Sequence, residues 1–253
     1  MKQQFKSIIL IVIVLSIALS ACNAAADTNK TIRIASDATW PPFEYIDETT
    51  KEVVGFDIDL INAVAEKEGL NIEIVPTEWD ALLAGVSQCQ YDAAISSITI
   101  TEDRQKTMLF TEPYLAAGQI LTVASGNTDI TGIDALEGKT VGAQIGTTGA
   151  IEIETMAGVT LKTYDTVDLA YLDLSNGQID AVVADYPTAI IFVGQSNGAL
   201  VFAGDVFTAE SYGIAVCNQN QDLLAKLNAG LKAVIDEGGI APLEAKWLSA
   251  SQE

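Results

Sequence analysis

The hydrophobic pattern changes along the chain between short apolar or alternating runs and longer amphipathic segments, which predicts alternating strands and helices. In the first part of the chain, residues 31–35, 71–75 and 91–96 predict strands. The helices predicted between them begin near Asp57 and at Trp79. The order strand–helix–strand–helix–strand is typical of a parallel sheet with crossover helices, so the pattern predicts an α/β fold.

A second series of the same kind follows a break near residue 114. Its predicted strands cover residues 119–124, 140–143, 160–164, 179–184 and 212–216. Its predicted helices cover residues 148–156, 166–175, 187–195, 223–235 and 242–248, and the fourth of them is long and amphipathic. Two series of similar size predict two lobes rather than one continuous sheet.

The chain passes between the predicted lobes at two short crossings, near residues 114–118 and 208–212. Two adjacent crossings form a hinge, and a hinge beside a cleft lets two lobes close on a ligand. We expect residues 31–115 and 211–253 to form the first lobe and residues 116–210 to form the second.

The first 21 residues have the pattern of a secretory signal peptide. Lys2 and Lys6 precede an apolar run over residues 8–19, which is too short to favour a transmembrane helix. The ending Leu19-Ser20-Ala21-Cys22 is similar to the lipobox of bacterial lipoproteins. That similarity implies cleavage before Cys22, acylation of its thiol, a tether over residues 22–30 and a lipid-anchored, extracytoplasmic protein. The alternative is an ordinary secretion signal with a chance cysteine.

Charge and composition exclude several classes of function. The net charge of −21 becomes −23 once Lys2 and Lys6 are removed, and such a chain repels nucleic acid. Because the chain has no histidine, it cannot form a His-containing zinc site or a Ser-His-Asp triad. It also has no glycine-rich phosphate loop followed by Lys-Ser/Thr. We therefore expect no nucleic-acid partner, and the sequence implies no metal ion or cofactor.

Two cysteines, Cys89 and Cys217, remain as a pair if Cys22 carries lipid. Outside the cytoplasm an even number of cysteines favours a disulfide. Cys89 comes just before the strand predicted at residues 91–96, and Cys217 ends the strand predicted at residues 212–216. If those strands are antiparallel neighbours, the two thiols lie at the same edge of the sheet. The bridge is a hypothesis, because it requires Cα atoms within about 7 Å.

Polar residues cluster in the stretch 96–104, where a predicted strand ends and Thr101 is placed to cap a short helix. In open α/β sheets, ligands bind outside the carboxyl ends of the strands. Arg104 is one of two arginines in the chain, and a guanidinium pairs with a carboxylate in a bidentate manner that an ammonium cannot match. We predict that Arg104 binds the carboxylate of a small acid. The alternative is a surface ion pair with Glu102 or Asp103.

Five motifs then occur in order, and together they resemble one family. They are WPPFEY at residues 40–45, VGFDIDL at 54–60, ITITEDR at 98–104, QIGTTG at 144–149 and DAVVAD at 180–185. With the lipoprotein-like leader, the chain resembles the extracellular solute-binding proteins of polar amino-acid ABC importers over about residues 31–248.

The resemblance implies a two-lobed type II periplasmic-binding fold, in which each lobe is a mostly parallel sheet flanked by helices. It implies a free L-amino acid as ligand, and the permease and ATPase subunits of an ABC importer as partners. Through the lipid anchor the protein would also associate with the membrane. We expect a monomer that is not an enzyme.

The resemblance also implies which residues hold the amino-acid end of the ligand. Arg104 would pair with the α-carboxylate, helped by the backbone N–H groups of Thr99 and Thr148. Asp185 would pair with the α-ammonium, beside the Thr99 hydroxyl and the Ser97 carbonyl.

Electrostatics favours the same arrangement independently of the resemblance. A zwitterion needs a cation and an anion about one amino acid apart, and Arg104 and Asp185 follow strands of different predicted lobes. Charges on opposite lobes let the ligand stabilise the closed state. The predicted helix start at residues 146–149, including Thr147, would add backbone donors for the carboxylate. The alternative for Asp185 is a helix cap before Pro187.

The side-chain end of the ligand would lie near Asp37, Glu44, Trp40 and Trp79. A carboxylate beside two indole rings suits a cationic side chain, through ion pairing and cation–π contact. Core packing is the alternative for the two tryptophans, and it is a stronger alternative for Trp79. Asp37 would instead serve a glutamine or broad polar binder if it accepted a hydrogen bond from an uncharged amide.

Two further features bear on the ligand. The Ser96-Ser97 pair and the Gly-Thr-Thr run look most like binders of arginine and lysine. Gln144 stands where glutamine binders often have a lysine, which would repel a cationic ligand, so Gln144 permits a basic ligand without being positive evidence for one. The sequence therefore favours arginine or lysine, and leaves glutamine and other amino acids, including cystine, as alternatives.

Two other classes of protein stay open. Some relatives on this fold are dehydratases of cyclic precursors of aromatic amino acids, and Glu44 would then be the positioned acid or base. A sensor domain that reports its ligand to a membrane receptor is the second alternative.

Overall fold

A computed structural model describes residues 30–248. The predicted signal peptide over residues 1–21, the lipidated Cys22 and all but the last residue of the tether lie outside this range. None of the helices within residues 30–248 is both long enough and apolar enough to span a bilayer.

The first part of the described chain alternates short strands with three helices. In chain order the elements are β1 (Ile32–Ser36), β2 (Thr39–Trp40), β3 (Glu44–Ile46), β4 (Val53–Val54), α1 (Phe56–Glu68), β5 (Ile72–Pro76), α2 (Trp79–Ser87), β6 (Ala93–Ala94), α3 (Glu102–Gln105), β7 (Met108–Phe110) and β8 (Leu115–Ala117). Gly69 ends α1 in the left-handed conformation, with φ 61°, which is a common helix terminator.

The second part has the same alternation and closes with two helices. Its elements are β9 (Gln119–Ala124), a 3₁₀ turn (Ile133–Ala135), β10 (Thr140–Gln144), α4 (Thr148–Glu154), β11 (Thr160–Tyr164), α5 (Val167–Ser175), β12 (Ala181–Asp185), α6 (Tyr186–Gln195), β13 (Leu200–Ala203), β14 (Glu210–Tyr212), β15 (Ala215–Cys217), α7 (Gln221–Asp236) and α8 (Ile240–Trp247).

Two five-stranded sheets share one topology. The first has the order β5-β1-β6-β15-β7 and the second has the order β11-β10-β12-β9-β13. In each sheet the first three strands and the fifth run in one direction, and only the fourth strand, β15 in the first sheet and β9 in the second, runs antiparallel to them. The expected two-lobed α/β fold is confirmed, although each sheet is mixed because strands from the crossings return in the opposite direction.

A short two-stranded ladder joins the two sheets. Here β8 pairs antiparallel with β14, with Leu115 opposite Tyr212 and Ala117 opposite Glu210. The chain enters the second sheet through β8 and leaves it through β14. The lobe boundaries expected at residues 115/116 and 210/211 fall inside this ladder, and the division into lobes at those positions stays a prediction.

The structure changes the lengths of several predicted strands. The strand predicted at residues 91–96 is reduced to β6, and the one predicted at residues 212–216 is divided between β14 and β15. Residues 36–44, which follow the first predicted strand and for which no element is predicted, contain β2, which pairs with β3. Strands of two or three residues carry too few positions to show an alternating pattern, which is why their sequences do not predict them.

The two predicted partners Cys89 and Cys217 are joined by a disulfide, with Cα atoms 4.9 Å apart. The strand pairing explains how they meet. β15 runs antiparallel to β6, with Val216 opposite Ala93, so the end of β15 lies beside the turn that precedes β6.

Candidate functional site

The carboxyl ends of central strands from both sheets surround one cavity. Asp37 follows β1, Ser96 follows β6, Gln144 ends β10 and Asp185 ends β12. All of the residues predicted to bind a ligand line this cavity, namely Asp37, Trp40, Glu44, Trp79, Ser96, Ser97, Thr99, Arg104, Gln144, Thr147, Thr148 and Asp185. The cavity therefore has the position that an open α/β sheet gives to a ligand.

Arg104 is directed across the cavity and not toward its neighbours on the chain. Its Nη1 donates to the Thr99 carbonyl at 2.8 Å, and its Nη2 donates to the Gly146 carbonyl at 3.1 Å. The guanidinium carbon lies 5.3 Å from the centre of the Trp79 ring. Asp103 pairs with a lysine instead. The alternative of a surface ion pair for Arg104 does not describe this arrangement.

Asp185 faces Arg104's side of the cavity from the end of β12. It occupies the N-cap position of α6, but its side chain makes no capping hydrogen bond. Its Oδ1 instead accepts from Gln119 Nε2 at 2.8 Å. Burial, and then the charge of Glu210, raises the pKa of Asp185 to about 7. The side chain therefore does not cap the helix, and a positive partner would favour its ionised form.

Glu210, which the sequence reasoning missed, links the two sides of the cavity. Its Oε2 accepts from Thr99 Oγ1 at 2.7 Å and from Thr148 Oγ1 at 2.8 Å. Gln119 Nε2 lies 3.4 Å from the same oxygen. The threonines that donate to Glu210 are distant in the sequence, so no local motif marks it as a site residue. Its position in the second predicted crossing was the one sequence feature that could have indicated a place near the cavity.

The residues at the start of α4, which follow a strand of the second sheet, lie near Arg104. Thr147 caps the helix: its Oγ1 accepts from Ala150 N at 3.3 Å and donates to the Gln144 carbonyl at 2.8 Å. Gly146 has φ 70°, a left-handed conformation that glycine adopts without strain. That conformation turns its carbonyl toward the guanidinium.

Asp37 forms a separate acidic end of the cavity. Its Oδ2 accepts from Gln144 Nε2 at 2.9 Å and its Oδ1 accepts from Thr39 Oγ1 at 2.9 Å. Burial raises the pKa of Asp37, and the charges of Glu78 and Asp168 add to the shift. The charges that act on Arg104 are different ones, namely those of Asp185 and Glu210.

The two tryptophans are both cavity walls and parts of the core. Trp40 is 6% exposed and Trp79 is 7% exposed, and each packs in a hydrophobic cluster. Their indole nitrogens and the Ser97 hydroxyl are buried with no hydrogen-bond partner among residues 30–248. The cleft and core alternatives for these residues are therefore compatible, and three buried polar groups face the site without a partner.

Glu44 and Ser96 lie in the wall beside Asp37. Ser96 Oγ accepts from Asp37 N at 3.0 Å and donates to Glu44 Oε1 at 3.1 Å. Glu44 is completely buried. Its neighbour on the side away from Ser96 is Asp57, which is also completely buried.

Two matched α/β sheets around one polar cavity define a two-lobed ligand-binding protein of the type II periplasmic-binding class. Comparison with known families agrees. The chain belongs to the bacterial extracellular solute-binding proteins, family 3, whose model matches residues 32–250. The resemblance inferred from the five motifs is confirmed.

Curated relatives of similar sequence differ in their ligands. The chain is 31% identical over 222 residues to the L-cystine-binding protein TcyJ of Escherichia coli (strain K12), covering 87% of this chain and 83% of that protein. It is 33% identical over 221 residues to the arginine-binding periplasmic protein of Mannheimia haemolytica, covering 85% and 90%.

Solved structures of similar fold include binders of more than one amino acid. The arginine-bound form of truncated ArgBP from T. maritima superposes with a TM-score of 0.77 at 38% identity, covering 81% of this chain and 96% of that one. An ancestral arginine-binding protein bound to glutamine gives a TM-score of 0.81 at 38% identity, with coverages of 86% and 97%. The ancestral amino acid-binding protein AncCDT-1, a precursor of cyclohexadienyl dehydratase, gives 0.80 at 32% identity, with coverages of 87% and 96%.

Proposed function

We propose that this chain binds a free basic amino acid, arginine or lysine, and delivers it to an ABC importer. The lobes formed by residues 31–115 with 211–253 and by residues 116–210 would close on the ligand. An acylated Cys22 would hold the protein at the outer side of the membrane, as a monomer. Membership of the solute-binding family supports binding rather than catalysis.

The single observation that carries the proposal is the division of charge within one cavity. Arg104 and Asp185 lie at one end, where they match the α-carboxylate and α-ammonium of an amino acid. Asp37 lies in a different electrostatic neighbourhood of the same cavity. A ligand that satisfies all three groups carries one anionic and two cationic groups, as arginine and lysine do.

The indole rings and the buried acceptors favour a cationic side chain. Trp40 and Trp79 present aromatic faces, which attract cations. Asp37 can accept a charge-assisted hydrogen bond, which is about twice as strong as a neutral one. Arginine-binding proteins among the relatives support the same ligand class.

Glutamine is the second candidate, and one contact favours it. The Gln144 amide already donates to Asp37, so Asp37 accepts hydrogen bonds from a neutral amide in this site. The ancestral arginine-binding protein bound to glutamine shows that one site of this fold can hold that ligand. The cystine-binding relative adds cystine to the ligands that need testing.

A thermal-shift screen with the twenty amino acids and cystine tests the proposal, since a tight ligand raises the unfolding temperature by mass action. We expect the largest shifts with arginine and lysine, and isothermal titration calorimetry then gives the affinities. A largest shift with glutamine or cystine would overturn the basic preference. No shift with any of them, together with turnover of a cyclic precursor of an aromatic amino acid, would favour the dehydratase alternative.

A further inference from the structure

Two buried carboxyls, Glu44 in the cavity lining and Asp57 beside it, form a pair whose joint role the proposed ligand contacts do not explain. Both side chains are completely buried. Asp57 Oδ2 accepts from Ser97 N at 2.7 Å and from Tyr114 Oη at 2.8 Å. Glu44 Oε1 accepts from Ser96 Oγ at 3.1 Å. One oxygen of each carboxyl thus holds one residue of the Ser96-Ser97 pair in the cavity wall.

The other oxygen of each carboxyl is left without a hydrogen-bond donor among residues 30–248. Glu44 Oε2 and Asp57 Oδ1 are buried and receive no hydrogen from any other residue that the structure describes. The two side chains are within hydrogen-bonding reach of each other. Two ionised carboxylates cannot satisfy this contact, because each has only acceptors. A single proton between them satisfies both oxygens and removes one of two buried like charges.

We propose that Glu44 and Asp57 share one proton, and that Glu44 acts as a neutral positioning residue that holds Ser96 and, through it, Asp37. Ser96 accepts from the Asp37 backbone N–H while it donates to Glu44. The acid pair therefore fixes the residue that carries the negative charge of the side-chain end. Glu44 itself adds no charge to the cavity.

The electrostatic surroundings agree with this arrangement. Burial, and then the charge of Asp57, raises the pKa of Glu44 well above its ordinary value. Burial raises the pKa of Asp57 to about 6. The other titratable groups facing the pair are Asp37 and the phenols of Tyr114 and Tyr212. Among residues 30–248, the groups that shift the two carboxyls include no basic side chain.

The backbone at Ser97 gives a reason for holding this wall so firmly. Ser97 has φ 48°, a left-handed conformation that is unusual for a residue other than glycine. Such conformations persist where surrounding contacts over-determine them. The hydrogen bond from Ser97 N to Asp57 is one of those contacts.

The first test needs no ligand and is therefore independent of the proposed function. In the native chain, unfolding releases the shared proton above pH 5, so stability falls as pH rises toward neutrality. In Glu44→Gln the amide donates to Asp57 and accepts from Ser96 without a titrating proton. Between pH 5 and 7 we expect the unfolding equilibrium constant of the native chain to rise about tenfold more per pH unit than that of the variant.

Two further variants make this measurement decisive. Adding Asp57→Asn to Glu44→Gln should flatten the pH dependence no further, because the pair holds one proton. A second decrease of equal size in the pH dependence, on adding Asp57→Asn, would show that each carboxyl carries its own proton. An unchanged pH dependence in Glu44→Gln would show that both carboxyls of the pair are ionised. Either result overturns the proposal. Glu66→Gln, on the exposed side of α1, controls for the loss of a surface charge.

The second test concerns positioning and uses arginine as the probe. We expect Glu44→Ala to weaken arginine binding at least about tenfold, as for loss of a buried hydrogen-bonded partner. Glu44→Gln should restore the affinity to within about twofold, because it keeps the same donor and acceptor pattern. A selective loss of arginine over glutamine in Glu44→Gln would mean that Glu44 is an ionised ligand contact, and would overturn the neutral role.

Discussion

At the scale of single residues, the cavity separates three charged groups that are distant in the sequence. Arg104 lies on α3, Asp185 ends β12 and Asp37 follows β1. Each is aimed into the cavity by a local feature: a short helix, a strand end before a helix, and a strand end before a loop. The charge pattern that results is the basis for the ligand preference proposed above.

In the proposed function Asp37 sets the preference for a basic side chain, so its neutral isostere should change selectivity more than stability. We expect Asp37→Asn to weaken arginine binding by about 1.5–3 kcal/mol, the value of a hydrogen bond to a charged group. Glutamine binding should change by less than about 0.5 kcal/mol. Calorimetric titration of both ligands measures the difference, and equal losses for the two would remove the assigned role of Asp37.

Asp185 should make binding depend on pH. Its pKa is raised to about 7 by burial and by Glu210, while the ligand ammonium favours the ionised form. Arginine affinity should therefore fall about tenfold for each pH unit below 7, with a plateau above it. The raised pKa also means that the unliganded chain loses stability as pH rises from about 4 to 7. Affinity that stays constant between pH 5 and 8 would contradict the assigned partner of the ammonium.

At the scale of secondary structure elements, β14 brings a carboxylate to the junction of both sheets. Glu210 accepts hydrogen bonds from Thr99, which follows β6, and from Thr148, which begins α4. Thr208 Oγ1 donates to its second oxygen at 2.8 Å. The crossing strand thus contacts two residues of the candidate site and is not only a connection.

Replacing Glu210 should move the pH dependence of binding. Glu210 raises the pKa of Asp185, after burial, through its negative charge. In Glu210→Gln the pKa of Asp185 falls, so arginine binding should persist to lower pH than in the native chain. Glu152→Gln, an exposed change on α4, is the matched control. Dissociation constants measured from pH 5 to 8 test this, and an unchanged midpoint in Glu210→Gln would rule out the coupling.

The sequence predicts the long elements well and the short ones poorly. Trp79–Ser87, Gln119–Ala124 and Thr160–Tyr164 have the predicted bounds, because each contains enough residues to show its period. β2, β4 and β6 have two residues each, so long-range pairing and not periodicity determines them. The strand predicted at residues 212–216 is divided because its two ends pair with different partners, β8 and β6.

The same reasoning explains which parts of the site were predictable. Residues inside recognisable motifs, such as Arg104 and Asp185, were found from the sequence. Glu210 and Gln119 lie outside the five motifs and were missed as site residues, because their roles depend on hydrogen bonds to residues 29 to 111 positions away. Contacts of that kind leave no local pattern in a single sequence.

At the scale of the whole molecule, one covalent link supports the first sheet. The Cys89–Cys217 disulfide joins the turn after α2 to the end of β15 and closes a loop with a sequence separation of 128 residues. The disulfide also constrains the unfolded chain, which hydrogen bonds and packing of the folded state do not. Long closed loops gain most from such a constraint.

Removing the disulfide should therefore lower stability without removing the binding site. We expect the paired change Cys89→Ser with Cys217→Ser to reduce the free energy of unfolding by about 2–4 kcal/mol. Chemical denaturation measures this loss, and alkylation followed by mass spectrometry reports the state of both thiols. Two alkylated cysteines at positions 89 and 217 in the folded, oxidised protein would contradict the bridge.

The central claim is that one cavity recognises an amino acid by its charged main-chain groups, with Arg104 on the carboxylate. The most direct test compares arginine with agmatine, which is arginine without its carboxyl group, by calorimetric titration of the native chain and of Arg104→Ala. We predict that the native chain prefers arginine by about 2–5 kcal/mol and that this preference largely disappears in Arg104→Ala. Equal binding of arginine and agmatine by the native chain, or an undiminished preference in the variant, would contradict the account.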